Sequence, residues 1–357
     1  MLRATLNPGR RERPRRSGRR AAMRSLTVLA ALASWALVPE RAAATDLLWG
    51  VNGHPLTSYP GVSLETQLDL VAQAGLKSYR IDVTNVDQVA RLADIVAAAK
   101  SRGIQILPIL IPPADLDKQS EAELYALGDS FARVFLTRLG RDVPVWELGN
   151  ELEIYALLRP CEKRDDGSVY PCEWGIAGGV GELDYYGPRV AKIAALLRGL
   201  SDATHAVAPD VRRAIGSAGW GHLGIFGRLQ KAGVTWDISV WHMFGQDPEW
   251  AFKSLAAMGH PIWVTEFNFP EGSSREGETK QAQGLVSAMD RLRLLAPVYH
   301  VEAAQIYELL DETYWAPSYE ASMGLVRLVA APGGGWIGGG RKAAFDAVAD
   351  ALASARE

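Results

Sequence analysis

Two glutamates draw attention by where they fall. Glu151 closes the run Trp146–Glu151, W-E-L-G-N-E, and Glu266 sits in Trp263–Phe267, W-V-T-E-F. Each puts a carboxylate at the end of an apolar stretch. An isolated ionised carboxylate is costly beside a dry core, so such residues are catalytic, paired, or structural ion pairs at a rim. Two carboxyls at one site can divide labour, one protonated and donating, the other ionised and attacking, if their surroundings push their pKa values apart.

Bringing the two together requires a repeating frame, and the chain has one. Eight short runs, most of them aliphatic or β-branched, read as buried strands: Leu47–Gly53, Ser78–Val83, Ile104–Ile111, Pro144–Glu151, Arg213–Ala218, Asp237–Phe244, Ile262–Phe269 and Ala304–Leu310. Amphipathic stretches alternate with them: Leu64–Ala74, Val86–Arg102, Glu121–Leu139, Tyr185–Leu200, Ile225–Ala232, Trp250–Met258, Lys280–Leu295 and Arg341–Ser354. Gly75, Gly103 and Gly140 follow three of these as helix-ending glycines. Eight β-α units predict a single-domain α/β fold, a (β/α)8 TIM barrel with parallel strands and right-handed crossovers. An open doubly wound sheet is the alternative, but no G-x-G-x-x-G or G-x-x-x-x-G-K-[ST] follows the first strand. The frame places Glu151 on strand four and Glu266 on strand seven, both at the C-terminal rim.

With Asn150-Glu151 ending strand four and Glu266 ending strand seven, the chain resembles glycoside hydrolase clan A, the four-seven superfamily, over the whole segment from Asp46 to the last helix. Within it the chain looks most similar to family 39 and related bacterial endoglycosidases of exopolysaccharides. Arg341-Lys342-Ala343-Ala344-Phe345 is a looser version of the usual clan ending. The resemblance implies a retaining glycosidase with Glu151 as acid/base and Glu266 as nucleophile, and no metal or cofactor. It implies that Asn150 binds the sugar 2-hydroxyl, that Arg80 at the end of strand two keeps the nucleophile ionised, and that His242 on strand six stands near it. Phe244 stands where many relatives carry a tyrosine two residues after that histidine. Tyr307 on strand eight occupies the region of a sugar-stacking tryptophan, with Glu308 beside it as a rim or subsite carboxylate. Asn52 and His54, at the end of strand one, are candidates for sugar hydroxyls. Trp174, Trp241 and Trp315 are candidates for stacking platforms, together with Trp49, Tyr155, Trp220, Phe269 and Tyr314. Glu147 shares the parity of Glu151 and reads as structural, paired lower in the barrel; an Arg80–Asp82 rim pair is the plain alternative for Arg80.

The longest connection, about Leu152 to Asp184, follows strand four and carries both cysteines of the chain and the run G-I-A-G-G-V-G-E. Residues 1–44 read as a secretory signal: a basic stretch whose first acidic residue is Glu12, an apolar run Leu26–Val38, then Ala42-x-Ala44 before the cleavage point. Met23 is a second candidate start. Export predicts a secreted or periplasmic protein, and an oxidising compartment in which Cys161 and Cys172 form a disulfide rather than free thiols. The run is too short for a comfortable membrane span. A second glycine-rich piece, Pro332–Gly340, reads as a hairpin or turn.

The chain of 357 residues carries a net charge of −3, with its basic excess concentrated at the N-terminus, so the remainder is acidic and disfavours nucleic acid. Six scattered histidines, none at i, i+4, argue against a metallohydrolase. The expected partner is a β-linked polysaccharide, cut internally by a monomer. Exo-acting, xylosidase-like cleavage and a catalytically silent carbohydrate-binding barrel are the competing readings.

Overall fold

The computed structural model describes residues 47–354, except Pro60. The proposed signal and its cleavage point lie outside the described residues. Eight strands close into a parallel barrel in sequence order, β1 to β8. They are β1 (Leu48–Gly53), β2 (Ser78–Val83), β3 (Gln105–Leu110), β4 (Val145–Leu148), β5 (Arg212–Ser217), β6 (Ile238–Phe244), β7 (Ile262–Asn268) and β8 (Val301–Ile306). Helices α1 (Leu64–Gln73), α2 (Val89–Lys100), α3 (Glu121–Leu139), α5 (Gly187–Val207), α6 (Gly224–Lys231), α7 (Glu249–Ala256) and α8 (Glu278–Tyr299) connect them, and α9 (Ala343–Ser354) closes the ring. A single-turn helix, α4 (Glu153–Ala156), follows β4, and β9 (Val326–Ala330) pairs antiparallel with β10 (Trp336–Arg341). That hairpin is the expected glycine-rich turn.

Local chemistry explains the boundaries. Ser120 caps α3 with a reciprocal Glu123 contact, satisfying two backbone donors that the first turn leaves open. Gly75 and Gly103 take left-handed φ values of 77° and 65°, as helix-ending glycines do. Gly140 does not; its φ is −58°, and its glycine identity answers to packing, since a Cβ there would meet the Leu136 carbonyl at 2.6 Å. The eighth strand departs from expectation. It begins at Val301, three residues early, because α8 runs through Pro297 and turns straight into the strand at His300, which adopts left-handed φ 55°. Tyr307 and Glu308 therefore stand beyond the strand end.

Side-chain alternation divides the core in two. Leu107, Val145, Ala214, Ile238, Val240, Trp263 and Ala303 plug the barrel interior. The opposite faces of the strands pack against the helices in a larger layer that includes Trp146, Phe135, Phe226, Phe252 and Phe345. Most residues of the eight barrel strands are thus buried, on both faces, with charged groups in the upper interior, while the β9–β10 hairpin is largely exposed. No helix among the described residues is long and apolar enough to cross a membrane.

Candidate active site

A cavity of about 580 Å³ opens above the plug, lined by His54, Arg80, Asp82, Asn150, Glu151, Glu266 and Tyr307, among others. It lies at the C-terminal ends of the strands, where barrel active sites form.

Arg80, on β2, is the hub beneath it. A guanidinium carries five N–H donors, and here all five have acceptors. Nε donates to Glu147 Oε2 at 2.7 Å, and Nη2 to Glu147 Oε1 at 2.8 Å and Asn150 Oδ1 at 3.0 Å. Nη1 donates to Asn52 Oδ1 at 2.6 Å and to Glu266 Oε1 at 2.7 Å. Burial disfavours the charge, but Glu147 and Glu266 more than offset it and raise the guanidinium pKa. The carboxylate partners of Arg80 are Glu147 and Glu266, Glu147 being paired low in the barrel as expected; Asp82 pairs elsewhere, with His54.

Glu151 and Glu266 meet across this hub. One carboxylate oxygen of each and one nitrogen of His242 lie within 4.8 Å of one another. His242 Nδ1 is 2.7 Å from Glu151 Oε1 and 3.5 Å from Glu266 Oε2, while Nε2 is 3.1 Å from Thr265 Oγ1. Glu151 does not end a strand: β4 stops at Leu148, Gly149 turns the chain with φ 73°, and Glu151 itself has φ 47°. A non-glycine residue in that region is uncommon, and strained positions of this kind gather at functional sites. On β6 a register irregularity between Trp241 and His242 puts the histidine opposite Glu266.

The titration of these groups is linked. Burial raises the Glu266 carboxyl above its ordinary value, against the pull of His242 and Arg80. Burial also acts on Glu151, but the hydrogen bond and charge of His242 outweigh it and hold that carboxyl below its ordinary range. His242 is raised in turn by Glu266 and Glu151, in spite of its burial. Glu151, His242 and Glu266 thus titrate as one group, with His242 favouring the charged form of Glu151.

A second cluster lines the β1–β8 side. His54 Nδ1 is 2.8 Å from Asp82 Oδ2, and Nε2 is 3.2 Å from Glu308 Oε2, which also accepts from the Tyr59 hydroxyl at 2.6 Å. Burial pushes the Glu308 carboxyl up to about 8, with His54 pulling it down. His54 is raised well above its usual value by Asp82 and Glu308, against burial. His54, Glu308 and Glu312 bring ligand atoms within 4.8 Å of one another, as do Glu151, His242 and Glu266. Both sets have the donor chemistry of a cation site, though Arg80, 2.7 Å from Glu266, opposes a cation at the latter.

Several expected contacts are corrected. Asn52 is 1% exposed and donates to the Thr265 and Ile306 carbonyls while accepting from Arg80, so it braces the hub from below. Trp241 points the other way, packed edge-on against Trp250 in the helix layer, because the irregularity follows it on β6. Trp174 and Trp315 are exposed but do not line the cavity. Trp220, Phe244 and Tyr319 do. The pocket also takes in His222, Glu271 and Glu320, which sequence reasoning left out; the loop after β5 offered no motif, only a solitary histidine near a tryptophan. Cys161 and Cys172 are disulfide-bonded in the loop after α4.

No protein-family model matches this chain, and no curated protein does. Solved structures resemble it. A β-glycosidase, BGL167, gives a TM-score of 0.62 at 14% identity, covering 87% of this chain and 97% of that one. A β-glucosidase from Thermotoga maritima in complex with deoxynojirimycin gives 0.61 at 12%, with the same coverage. The virulence factor SghA, in complex with its substrate analog salicin, gives 0.61 at 12%, over 86% and 96%. At these identities the likeness is one of fold, a (β/α)8 barrel shared nearly end to end.

Proposed function

We propose that this chain is a retaining β-glycosidase of clan A, with Glu266 as nucleophile and Glu151 as acid/base. The observation that carries this reading is the approach of the two carboxylates, oxygens within 4.8 Å. Retaining enzymes hold their carboxyls about 5–5.5 Å apart, whereas inverting ones leave about 6.5–9.5 Å for a water. The β-glycosidase and β-glucosidase among the structural neighbours support the same chemistry.

On this reading each group has a task. Arg80 fixes Glu266 Oε1, which leaves Oε2 to attack the anomeric carbon. Asn150 accepts from Arg80 through Oδ1, so its amide nitrogen is free to donate to a sugar 2-hydroxyl. Glu151 needs a proton for the leaving oxygen, and His242 Nδ1 stands 2.7 Å from its Oε1. A sugar ring entering the pocket desolvates Glu151 further and disfavours its charged form, which favours the protonated carboxyl that the leaving oxygen requires. Glu151 then gives its proton to the departing oxygen while Glu266 forms the glycosyl ester. In the second half Glu151 takes a proton from water, whose oxygen displaces Glu266. No step calls on a metal or cofactor.

The reading extends to a β-linked polysaccharide cut internally, outside the cytoplasm. Exposed aromatics on the cavity rim, Trp220 and Tyr319, support a substrate longer than one ring. The β-glucosidase neighbours favour a second reading, exo-cleavage of a terminal sugar. Incubation with a panel of β-glycans, size analysis of the products and immediate NMR of the new reducing end separate these. Internal cleavage gives mixed oligomers with a β-anomer formed first; exo-cleavage gives one small sugar from the start. A first-formed α-anomer contradicts retention.

A further inference from the structure

The loop after β5 holds a group that the displacement chemistry above does not use. His222 Nδ1 is 2.8 Å from Glu153 Oε1, and the same oxygen accepts the Ala218 backbone N–H at 2.7 Å. Glu153 is 1% exposed, so a carboxylate has been buried on α4 for the sake of this loop. Such a partner fixes a histidine's tautomer and ring orientation. The Cδ2 edge of the ring packs on Gly179, where a Cβ would come within 2.7 Å. With Nδ1 and Cδ2 both committed, the Cε1–Nε2 edge is the one left for the cavity that His222 lines.

Trp220 lies two residues earlier and lines the same cavity. It is 60% exposed and has φ 54°, an uncommon conformation for a bulky residue and a costly one. Folding alone gains little from it: the indole is mostly in water and its backbone is strained.

The disulfide-bearing loop buttresses this pair. Gly224 N–H donates to the Gly179 carbonyl at 2.9 Å, and the Tyr185 hydroxyl donates to the same carbonyl at 3.0 Å. A Cβ on Gly221 would meet the Gly178 carbonyl at 2.4 Å, and one on Gly224 would meet the Gly181 carbonyl carbon and oxygen at 2.4 Å. Gly221 and Gly224, together with Gly179, thus permit the two backbones to touch. The contact seats the loop after β5 against the segment that follows β4 and Glu151.

Resting on the glycosidase reading, we propose that Trp220 and His222 form a leaving-group subsite that takes a second sugar ring. The acid/base must face the departing oxygen, so the leaving group lies on the β4–β5 side of the carboxyl pair. Trp220 offers the flat face that sugar C–H groups pack on, and His222 Nε2 is placed to hydrogen-bond one hydroxyl of that ring. Glu153 is a positioning residue acting through His222.

The test compares two substrates that share a glycone: a β-linked oligosaccharide, and an aryl β-glycoside whose leaving group has no hydroxyls to match His222. Trp220→Ala and His222→Gln are expected to lower the oligosaccharide-to-aryl ratio of kcat/KM at least tenfold, and Trp220→Phe to restore most of it. A tenfold fall is about 1.4 kcal/mol of transition-state binding. Equal losses on both substrates overturn the subsite and leave a structural role. An unmoved ratio in an active enzyme overturns it as well. A wild-type protein that hydrolyses neither substrate, across glycones, overturns the glycosidase reading itself.

Discussion

Two buried charge clusters flank one cavity and are built on opposite terms. Around Arg80 the donors and acceptors match one to one, and the guanidinium sits within 2.7 Å of both Glu147 and Glu266. Around His54 the sums do not close: Asp82 and Glu308 face one imidazole, and Glu308 Oε1 has no hydrogen-bond partner among the described residues. A carboxylate gripped by a dedicated guanidinium is fixed in direction, although burial still raises the Glu266 carboxyl above its ordinary value. One beside a shared histidine, with an oxygen left over, is held less firmly, and its pKa is pushed up to about 8. The first arrangement suits a nucleophile; the second suits a wall of the pocket that changes charge.

The largest effect expected from this contrast is on turnover. Glu266→Ala removes the attacking group and should lower kcat by roughly 10⁴-fold or more, the scale seen when a covalent nucleophile is deleted. Steady-state kinetics on any cleaved β-glycoside check this, and a variant within tenfold of wild type removes Glu266 from the role. Next comes stability. Arg80→Met leaves Glu147 and Glu266 without their cation, and breaking a buried pair in this way costs about 3–5 kcal/mol. Urea unfolding measures it; a loss below about 1 kcal/mol would mean that the hub is not a tight ion pair.

The smaller effect concerns the other cluster. Glu308 is raised in the folded chain, so its contribution to stability is full below its unfolded value near 4.5 and is lost as pH rises toward about 8. His54 is raised too, and its contribution disappears as pH climbs above about 6.5 through its folded value. Both slopes have the same sign, so the melting temperature of the wild type should fall between roughly pH 5 and 8. Glu308→Gln should flatten that fall by removing the carboxyl. An unchanged slope would place the titration elsewhere.

Much of this molecule could be read from its residues, for identifiable reasons. The eight strands were legible because burial on both faces leaves continuous aliphatic runs. Glu151 and Glu266 were legible because a carboxylate after such a run is conspicuous. Errors arose where a local backbone feature reverses what alternation implies. Asn52 has the right parity but lies one layer too deep, under Arg80. Trp241 precedes the irregularity on β6, which turns it toward the helices and His242 inward. The His54 cluster draws on β1, β2 and the segment after β8, with Tyr59 and Glu308 separated by 249 positions. Nothing local announces such a contact. The Glu153–His222 pair, separated by 69 positions, was hidden in the same way.

The most direct test of the account is to trap the covalent intermediate. The protein is treated with a panel of 2-deoxy-2-fluoro β-glycosides bearing good leaving groups, digested, and its peptides are sequenced by mass spectrometry. Double displacement at the carboxyl pair predicts a single fluoroglycosyl ester on Glu266, absent from Glu266→Ala. An ester on another residue, or rapid turnover of the same reagents to inverted product with no ester formed, would contradict it.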